Sequence, residues 1–176
     1  DLEPGGTLLL VENSPGRLLR VDPATGSVTV LALSLAKPYA AVRAASGAVY
    51  VTSDNLLRRL DAGGSLTTVA TADGQIGPVA AAPKGDVYLT TATQVYRLTG
   101  GAGQPLAVGD GQFSNPPGLA VAADGALLVS DAGNNRIRRI DLNTHAVSTL
   151  AQIGTPHGID VSSDGKILAF FVRDGG

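Results

Sequence analysis

One short motif, a glycine followed by a run of β-forming residues, recurs five times along this chain of 176 residues. Successive copies stand 41, 38, 40 and 40 residues apart. A period near 40 residues is typical of propeller blades and of solenoids, in which each repeat is one supersecondary unit. Because glycine supplies the positive φ of a tight hairpin, each motif predicts a turn between two antiparallel strands. The five glycines are Gly6, Gly47, Gly85, Gly125 and Gly165.

Four strands, named A to D here, can be placed in each period. In the fourth repeat, strand A covers 118–122, strand B follows Gly125, strand C is the arginine-bearing run 137–140 and strand D covers 147–150. No segment with helical periodicity lies between them. Four hairpin-linked strands per repeat favour a propeller blade over a solenoid. Strand A is rich in alanine and glycine, as expected for inner strands that crowd around the propeller axis.

The sequence therefore predicts one all-β domain over residues 1–176, a β-propeller of four-stranded antiparallel blades. About four and a half blades are expected, because the first has only the tail of strand A and the fifth stops before strands C and D. An incomplete ring exposes apolar faces and unpaired strand edges. We therefore expect the rest of the same chain or a second chain to complete the propeller. The predicted blades are approximately 1–32, 38–70, 76–108, 116–151 and 155–176.

Composition narrows the classes of function. Thirteen basic and 15 acidic residues give a net charge of −2, which is too balanced for a nucleic-acid-binding surface. No apolar run reaches the roughly 18 residues that suggest a membrane span. Without cysteine, the chain has neither a disulfide framework nor a thiolate metal site. We expect a soluble, extracellular or periplasmic protein with no nucleic-acid partner and no membrane span.

Residues 116–138 read Pro-Pro-Gly-Leu-Ala-Val, then Asp-Gly, a strand, and Asp-Ala-Gly-Asn-Asn-Arg-Ile. This stretch resembles an NHL repeat, and 156–165 resemble the first half of another. The resemblance implies a propeller, commonly of six blades, of which this chain would be a part. Asp131 and Asn134 carry oxygens that could bind a cation. We favour a structural turn, in which these two side chains close the B–C loop and Arg136 packs between blades.

A ligand site is expected on the propeller face where the D–A and B–C loops emerge. Tyr39 and His157 begin strand A in their repeats and carry side chains with chemistry. Arg43 and Asp160 stand where neighbouring repeats have small apolar residues, and a carboxylate there is costly unless it is paired or hydrated. We predict that these four residues form a central site, with a water-filled channel mouth as the alternative explanation. The B–C loops add Glu12, Asn13 and Asp54 as further ligand-binding candidates.

Catalysis finds little support in the sequence, which has two histidines and no His-x-His or Glu-x-x-His spacing for a metal. Residues 16–26 and 156–166 do resemble the SMP-30/gluconolactonase propellers. That resemblance implies a metal-dependent lactonase or lyase with Glu, Asn and Asp ligands for a divalent cation such as calcium, and His157 stands at the position of the Asn ligand. RNA binding would need a basic face, and the arginines lie mainly on strand C. We favour a non-catalytic binding or interaction module of NHL type without a cofactor, with the lactonase-like enzyme as the alternative.

Overall fold

The computed structural model describes residues 1–101, 105–109, 111–162 and 164–171 of the chain. These residues form seventeen strands in five antiparallel sheets, and the strands of each sheet follow one another in sequence. Helix is limited within these ranges to two short 3-10 turns, Thr99–Gly101 and Ala132–Asn134. The prediction of an all-β fold with four-stranded antiparallel blades is therefore confirmed. No described helix is long and apolar enough to cross a membrane.

The three middle sheets have four strands in the order A–B–C–D, and the first and fifth have three and two described strands. The strands are β1 (Leu8–Glu12), β2 (Arg17–Val21) and β3 (Val28–Ala32) in the first sheet; β4 (Pro38–Arg43), β5 (Val49–Ser53), β6 (Leu56–Leu60) and β7 (Leu66–Thr71) in the second; β8 (Val79–Ala81), β9 (Val87–Thr90), β10 (Val95–Leu98) and β11 (Leu106–Val108) in the third; β12 (Gly118–Val121), β13 (Leu127–Asp131), β14 (Arg136–Ile140) and β15 (Val147–Gln152) in the fourth; and β16 (Pro156–Val161) and β17 (Ile167–Phe171) in the fifth.

The recurring glycine lies in a hairpin turn in every repeat. All five motif glycines have φ between +79° and +94°, a region that other residues adopt only with strain. In the fourth sheet, Gly125 N donates to Ala122 O at 2.9 Å, and Ala122 N donates to Ala126 O at 2.8 Å. The same pair of hydrogen bonds closes the equivalent turns of the other sheets. The motif therefore marks the A–B hairpin, as the sequence predicted.

The apolar core is divided into four clusters, each lying between two consecutive sheets. Strand β5 shows how this arises, because Val51 packs in the cluster shared with the first sheet and Tyr50 in the cluster shared with the third. Since both faces of a middle sheet are covered, every residue of β5, β9 and β13 is buried. Each sheet is thus stabilised chiefly by its neighbours, as in other repeat architectures.

A bulge recurs between strands C and D, which the sequence did not predict. In the second sheet it falls at Leu57/Arg58 and in the fourth at Ile137/Arg138, the same place in each repeat. A bulge inserts one residue and increases the local twist of the strand. With it, β15 continues to Gln152, two residues beyond the predicted end of strand D.

Residues 1–3 form a short inner edge of the first sheet. Leu9 N donates to Asp1 O, and Glu3 N donates to Thr7 O, each at 2.8 Å. An isolated antiparallel bridge pairs Leu2 with Leu8. This segment is the tail of strand A that the sequence indicated.

The two ends of the row of sheets expose apolar side chains. On β17, Leu168 and Phe170 are 48% and 61% exposed, and Leu10 on β1 is 45% exposed. The matching faces of the middle sheets are covered by neighbouring sheets. Exposed apolar faces of this kind are association surfaces.

The substitution Gly118→Ala should destabilise the fold. The added Cβ would lie 2.6 Å from the His157 carbonyl oxygen and 2.9 Å from the Ile159 nitrogen, both backbone atoms of the fifth sheet. Overpacking of this kind costs about 1–3 kcal/mol. Gly154→Ala is the matched control, because nothing lies within 4 Å of its Cβ position. Urea unfolding measures the difference, and equal midpoints for the two variants would contradict the close approach of β12 to β16.

The 176-residue chain should associate in solution through its end faces. We expect sedimentation velocity to show oligomers of the wild-type chain. The substitution Phe170→Glu should shift them towards the monomer, because a glutamate carboxylate disfavours burial of the β17 end face. Leu106→Glu is the control, since Leu106 is 58% exposed but lies on β11, the outermost strand of a middle sheet. A stable wild-type monomer that binds no hydrophobic dye would show that the ends are already covered.

Candidate functional site

A channel runs along the axis around which the inner strands are arranged. Its walls are formed by β4, β8, β12 and β16, together with Asp1, and its volume is about 380 Å³. Pockets of 300–1,000 Å³ are typical of small-ligand sites. Most of the wall is alanine, glycine and valine, because neighbouring inner strands approach one another too closely for larger side chains. Among the described residues, the lining side chains with polar groups are Asp1, Tyr39 and Asp160.

Tyr39 lies at the mouth of the channel, where a bulge between Pro38 and Ala41 opens the start of β4. Its hydroxyl donates a long hydrogen bond of 3.4 Å to the carbonyl oxygen of Pro117, which belongs to the fourth repeat. Partial burial raises the pKa of this hydroxyl, so the group stays a protonated donor at neutral pH. The side chain is still 42% exposed, and a ligand entering the channel would meet it first.

Asp160 lies deeper in the channel, on β16. It is three residues further along the strand than His157, or roughly 10 Å at the usual rise per residue. Its Oδ1 accepts a hydrogen bond of 2.8 Å from Val161 N. The carboxylate is exposed and lies within ion-pair distance of no described cation, although the N-terminal ammonium of Asp1, in the same channel, interacts with it electrostatically. Asp160 therefore offers an anionic acceptor at a position where the second to fourth repeats have apolar side chains.

His157 is exposed at the start of β16, on the same face as Tyr39, but it is not among the residues that line the channel. Its backbone carbonyl oxygen packs against Gly118. The structure thus places His157 beside the mouth and not within the channel wall.

Arg43 does not join the predicted central group. It ends β4, at the opposite end of the strand from Tyr39, and it lines a cleft between the first and second sheets. Its NH1 donates to Glu3 Oε1 at 2.8 Å, and its backbone nitrogen donates to Asp1 Oδ2 at 3.0 Å. Arg43 thereby ties the second sheet to the first, which explains its departure from the apolar pattern.

Glu3 is the centre of that contact and is only 3% exposed. Arg20 donates to it through Nε at 2.5 Å and through NH2 at 2.9 Å, and Thr7 Oγ1 donates at 2.9 Å. These hydrogen bonds, first that of Arg20 and then that of Arg43, outweigh the effect of burial and lower the pKa of Glu3 to about 2. No sequence pattern signals this cluster, because the partners of Glu3 lie 17 and 40 residues away.

The predicted B–C loop residues lie on the same face as Tyr39 but outside the channel lining. Glu12 accepts a hydrogen bond of 2.5 Å from Arg17 Nε within its own hairpin. Asp54 has φ of +55° and faces Lys37 at 3.7 Å, and Asn13 is exposed. These side chains form the outer rim of the face.

Asp131 and Asn134 close the B–C turn of the fourth sheet. Asp131 is fully buried, and its carboxylate accepts from Ser114 N at 2.8 Å and from Asn134 Nδ2 at 2.9 and 3.0 Å. Arg138 NH1 lies 3.3 Å from the same carboxylate. Arg136 is half-buried on β14. The Asp131 oxygens are therefore engaged by donors of the fold.

A divalent cation of the lactonase type needs several oxygen or nitrogen ligands within one coordination sphere. Across the described residues, no three His, Cys, Asp or Glu side chains are grouped closely enough to hold a metal ion. In particular, His157 does not line the channel that Asp160 faces. The donor set that the structure describes does not fit the metal site implied by the SMP-30/gluconolactonase resemblance.

Residues 113–140 match the sequence model of the NHL repeat family, which confirms the resemblance based on residues 116–138. The matched segment contains the buried Asp131 turn and strands β13 and β14. No curated protein matches the sequence significantly.

Solved structures confirm the propeller fold. The chain is similar to a gluconolactonase from Xanthomonas campestris, with a TM-score of 0.83, 16% identity, and coverage of 97% of this chain and 67% of that one. It is also similar to virginiamycin B lyase from Staphylococcus aureus, with a TM-score of 0.74, 15% identity, and coverage of 99% and 69%. A chain of a nidogen/laminin complex matches with a TM-score of 0.77, 18% identity, and coverage of 90% and 66%. The chain thus spans about two thirds of the length of these structures, and identities this low show the fold alone.

Glu3→Gln should lower the free energy of unfolding at pH 7 by about 3 kcal/mol, the value that corresponds to a pKa falling from 4.5 to about 2 on folding. A carboxyl whose pKa is depressed in the folded state contributes stability above its unfolded pKa, and that contribution is lost as pH falls towards 2. The gap between wild type and variant should therefore shrink to about 1 kcal/mol near pH 3.

Glu12→Gln is the control for this prediction. Its ion pair with Arg17 has both side chains about a third exposed, so the loss should stay below about 1 kcal/mol. Guanidinium unfolding at pH 7 and pH 3 measures all three proteins. Equal losses for the two variants would contradict the role of Glu3 as the link between the first two sheets.

Proposed function

We propose that the chain is a non-catalytic binding module whose ligand enters the axial channel from the face formed by the D–A and B–C loops. One observation supports this most: an exposed carboxylate without an ion-pair partner, Asp160, lies inside a channel of about 380 Å³ with small apolar walls. A carboxylate at such a position gains from a positively charged or hydrogen-bond-donating ligand, and such a ligand competes with the N-terminal ammonium of Asp1, which lines the same channel and interacts electrostatically with Asp160. Tyr39 at the mouth supplies a phenol donor above it.

The geometry favours a basic group carried on a slender aliphatic stem. The stem would lie along the alanine and valine walls, and the cation would reach Asp160 about 10 Å inside the mouth. A lysine-like side chain presented by a protein partner meets both requirements, and so does a small free amine. The nidogen/laminin neighbour is a protein complex by its description, which is in keeping with an interaction role for this fold.

A lactonase- or lyase-like activity is the second candidate. Its support is the fold similarity to a gluconolactonase and to virginiamycin B lyase. Against it stands the donor set, since the described residues do not group three metal-binding side chains. A calcium titration monitored by thermal unfolding tests this candidate: a rise in Tm that Asp160→Asn removes would favour the enzyme, because an ion that binds the native state stabilises it.

We further propose that the exposed end faces are covered in the functional protein, either by other residues of the same protein or by a second chain that completes the propeller. The exposed Leu168 and Phe170 at one end and Leu10 at the other support this. Completion of the ring would leave the channel walls in place and enclose them further.

Asp160→Asn should weaken binding of a lysine-like probe by at least threefold. The probe is Nα-acetyl-lysine N-methylamide, followed by backbone amide shifts in NMR, and its neutral norleucine analogue shows whether the charge matters. Asp164→Asn is the matched control, because Asp164 lies on the same sheet but in the A–B turn of the other face, paired with Lys166 at 2.6 Å. Equal affinity of the two probes, or of the Asp160 variant and wild type, would refute the proposed site.

A further inference from the structure

The face opposite the channel mouth carries a second cleft, between the third and fourth sheets. It has a volume of about 410 Å³ and lies where the A–B and C–D turns meet. Pro83, Val121 and Leu142 give it an apolar floor, and charged side chains surround that floor. None of the predicted site residues lines this cleft.

Tyr88 is the most unusual residue of the cleft lining. It lies on β9, is 1% exposed, and packs in the core cluster between the third and fourth sheets. Burial raises the pKa of its hydroxyl, and Arg97 and Asp86, which also line the cleft, are its charged neighbours. The hydroxyl makes no hydrogen bond to any described residue, and its oxygen is not among the buried polar atoms that lack a partner, so it is accessible from the cleft. It therefore presents an unused donor and acceptor to the cleft.

The charges of the cleft leave one cation unpaired. Asp86 forms an ion pair with Arg97, and Asp124 forms one with Arg139, each with an N···O distance of 2.7 Å. Lys84 is exposed and has no ion pair with a described residue. The Nε of Arg97 is buried without a hydrogen-bond partner in the described part of the chain. The charges that line the cleft balance, with Lys84 and Arg97 against Asp86 and Asp124, but the Lys84 ammonium and the Arg97 Nε remain as unused donors.

The equivalent residue of the second sheet shows that this arrangement is not general to the repeat. Tyr50 occupies the same position on strand B of the second sheet as Tyr88 does on strand B of the third, and it is similarly buried. The 3-10 turn of the third sheet closes over it, so that a Cβ on Gly101 would overlap its hydroxyl. Over Tyr88, the corresponding turn of the fourth sheet leaves the cleft open, lined by Leu142 and Asn143.

We propose that this cleft binds a small organic molecule with a single carboxylate and a compact apolar body. The carboxylate accepts hydrogen bonds from the Tyr88 hydroxyl and the Lys84 ammonium, and the apolar body packs on Pro83, Val121 and Leu142. The paired Asp86 and Asp124 flank the site and disfavour ligands with a second negative charge. The cleft adjoins the axial channel at Val121, which lines both cavities, but the acidic Asp160 of the channel favours ligands of the opposite charge.

Phenylacetate, with phenylacetamide as its neutral counterpart, tests the proposal on the full chain. Tyrosine labelled with ¹³C at Cζ gives four NMR signals, one for each of the four tyrosines, and Tyr88→Phe identifies the signal of Tyr88. We expect phenylacetate to shift the Tyr88 signal in a saturable manner and to leave that of Tyr50 in place. Phenylacetamide should bind at least threefold more weakly, because it lacks the charge.

Lys84→Gln should weaken phenylacetate binding at least threefold without changing thermal stability. Lys37→Gln is its control, since Lys37 is an exposed lysine on the opposite face, paired with Asp54. The proposal is wrong if the Tyr88 signal does not move at a 20-fold excess of phenylacetate over protein. It is also wrong if phenylacetate and phenylacetamide bind equally well, or if the Lys84→Gln variant binds phenylacetate as wild type does. Because Lys84 is exposed, its substitution tests the site even if Tyr88→Phe perturbs the core.

Discussion

The convergence of the inner strands on one axis is the constraint on which the rest of the structure depends. At Gly118, a single Cβ would meet backbone atoms of the next sheet at 2.6 and 2.9 Å, so this position of strand A is restricted to glycine. Larger apolar side chains are displaced outwards into the four clusters between sheets. A polar side chain retained on an inner strand, such as Asp160, therefore lines the channel among small apolar residues, where the N-terminal ammonium of Asp1 interacts with it electrostatically. This is why a departure from the small-residue pattern is informative there.

Much of the fold could be predicted because its determinants are local. The hairpin glycines need a positive φ, and the strand runs between them are short, apolar and evenly spaced. The contacts between sheets are not local, and there prediction from the sequence failed. Arg43 was assigned to the ligand site because it interrupts an apolar pattern, yet its partner is Glu3, 40 residues earlier. Likewise, the Tyr88 hydroxyl is left open to the cleft by the C–D turn of the fourth sheet, and β9, which carries Tyr88, does not determine this.

The two faces of the propeller differ in how their charged side chains are paired. On the face of the A–B turns, an arginine of strand C reaches an acid near the hairpin of its own sheet in three sheets: Arg20 with Glu3, Arg97 with Asp86 and Arg139 with Asp124. Arg59 holds the equivalent place in the second sheet, where the turn 44–48 carries no acid, and Arg43 reaches back to Glu3 instead. Repeated pairing of this kind fixes the turns in place, and the acids that take part are unavailable to a ligand.

Charged side chains outside this pairing are therefore the ones available to interact with a ligand. Asp160 in the channel and Lys84 in the cleft both lie beside apolar walls, where an ion pair is screened less than on an open surface. They have opposite signs, so a ligand suited to one would be rejected by the other. Titrating both with probes of opposite charge thus distinguishes two sites on a single chain.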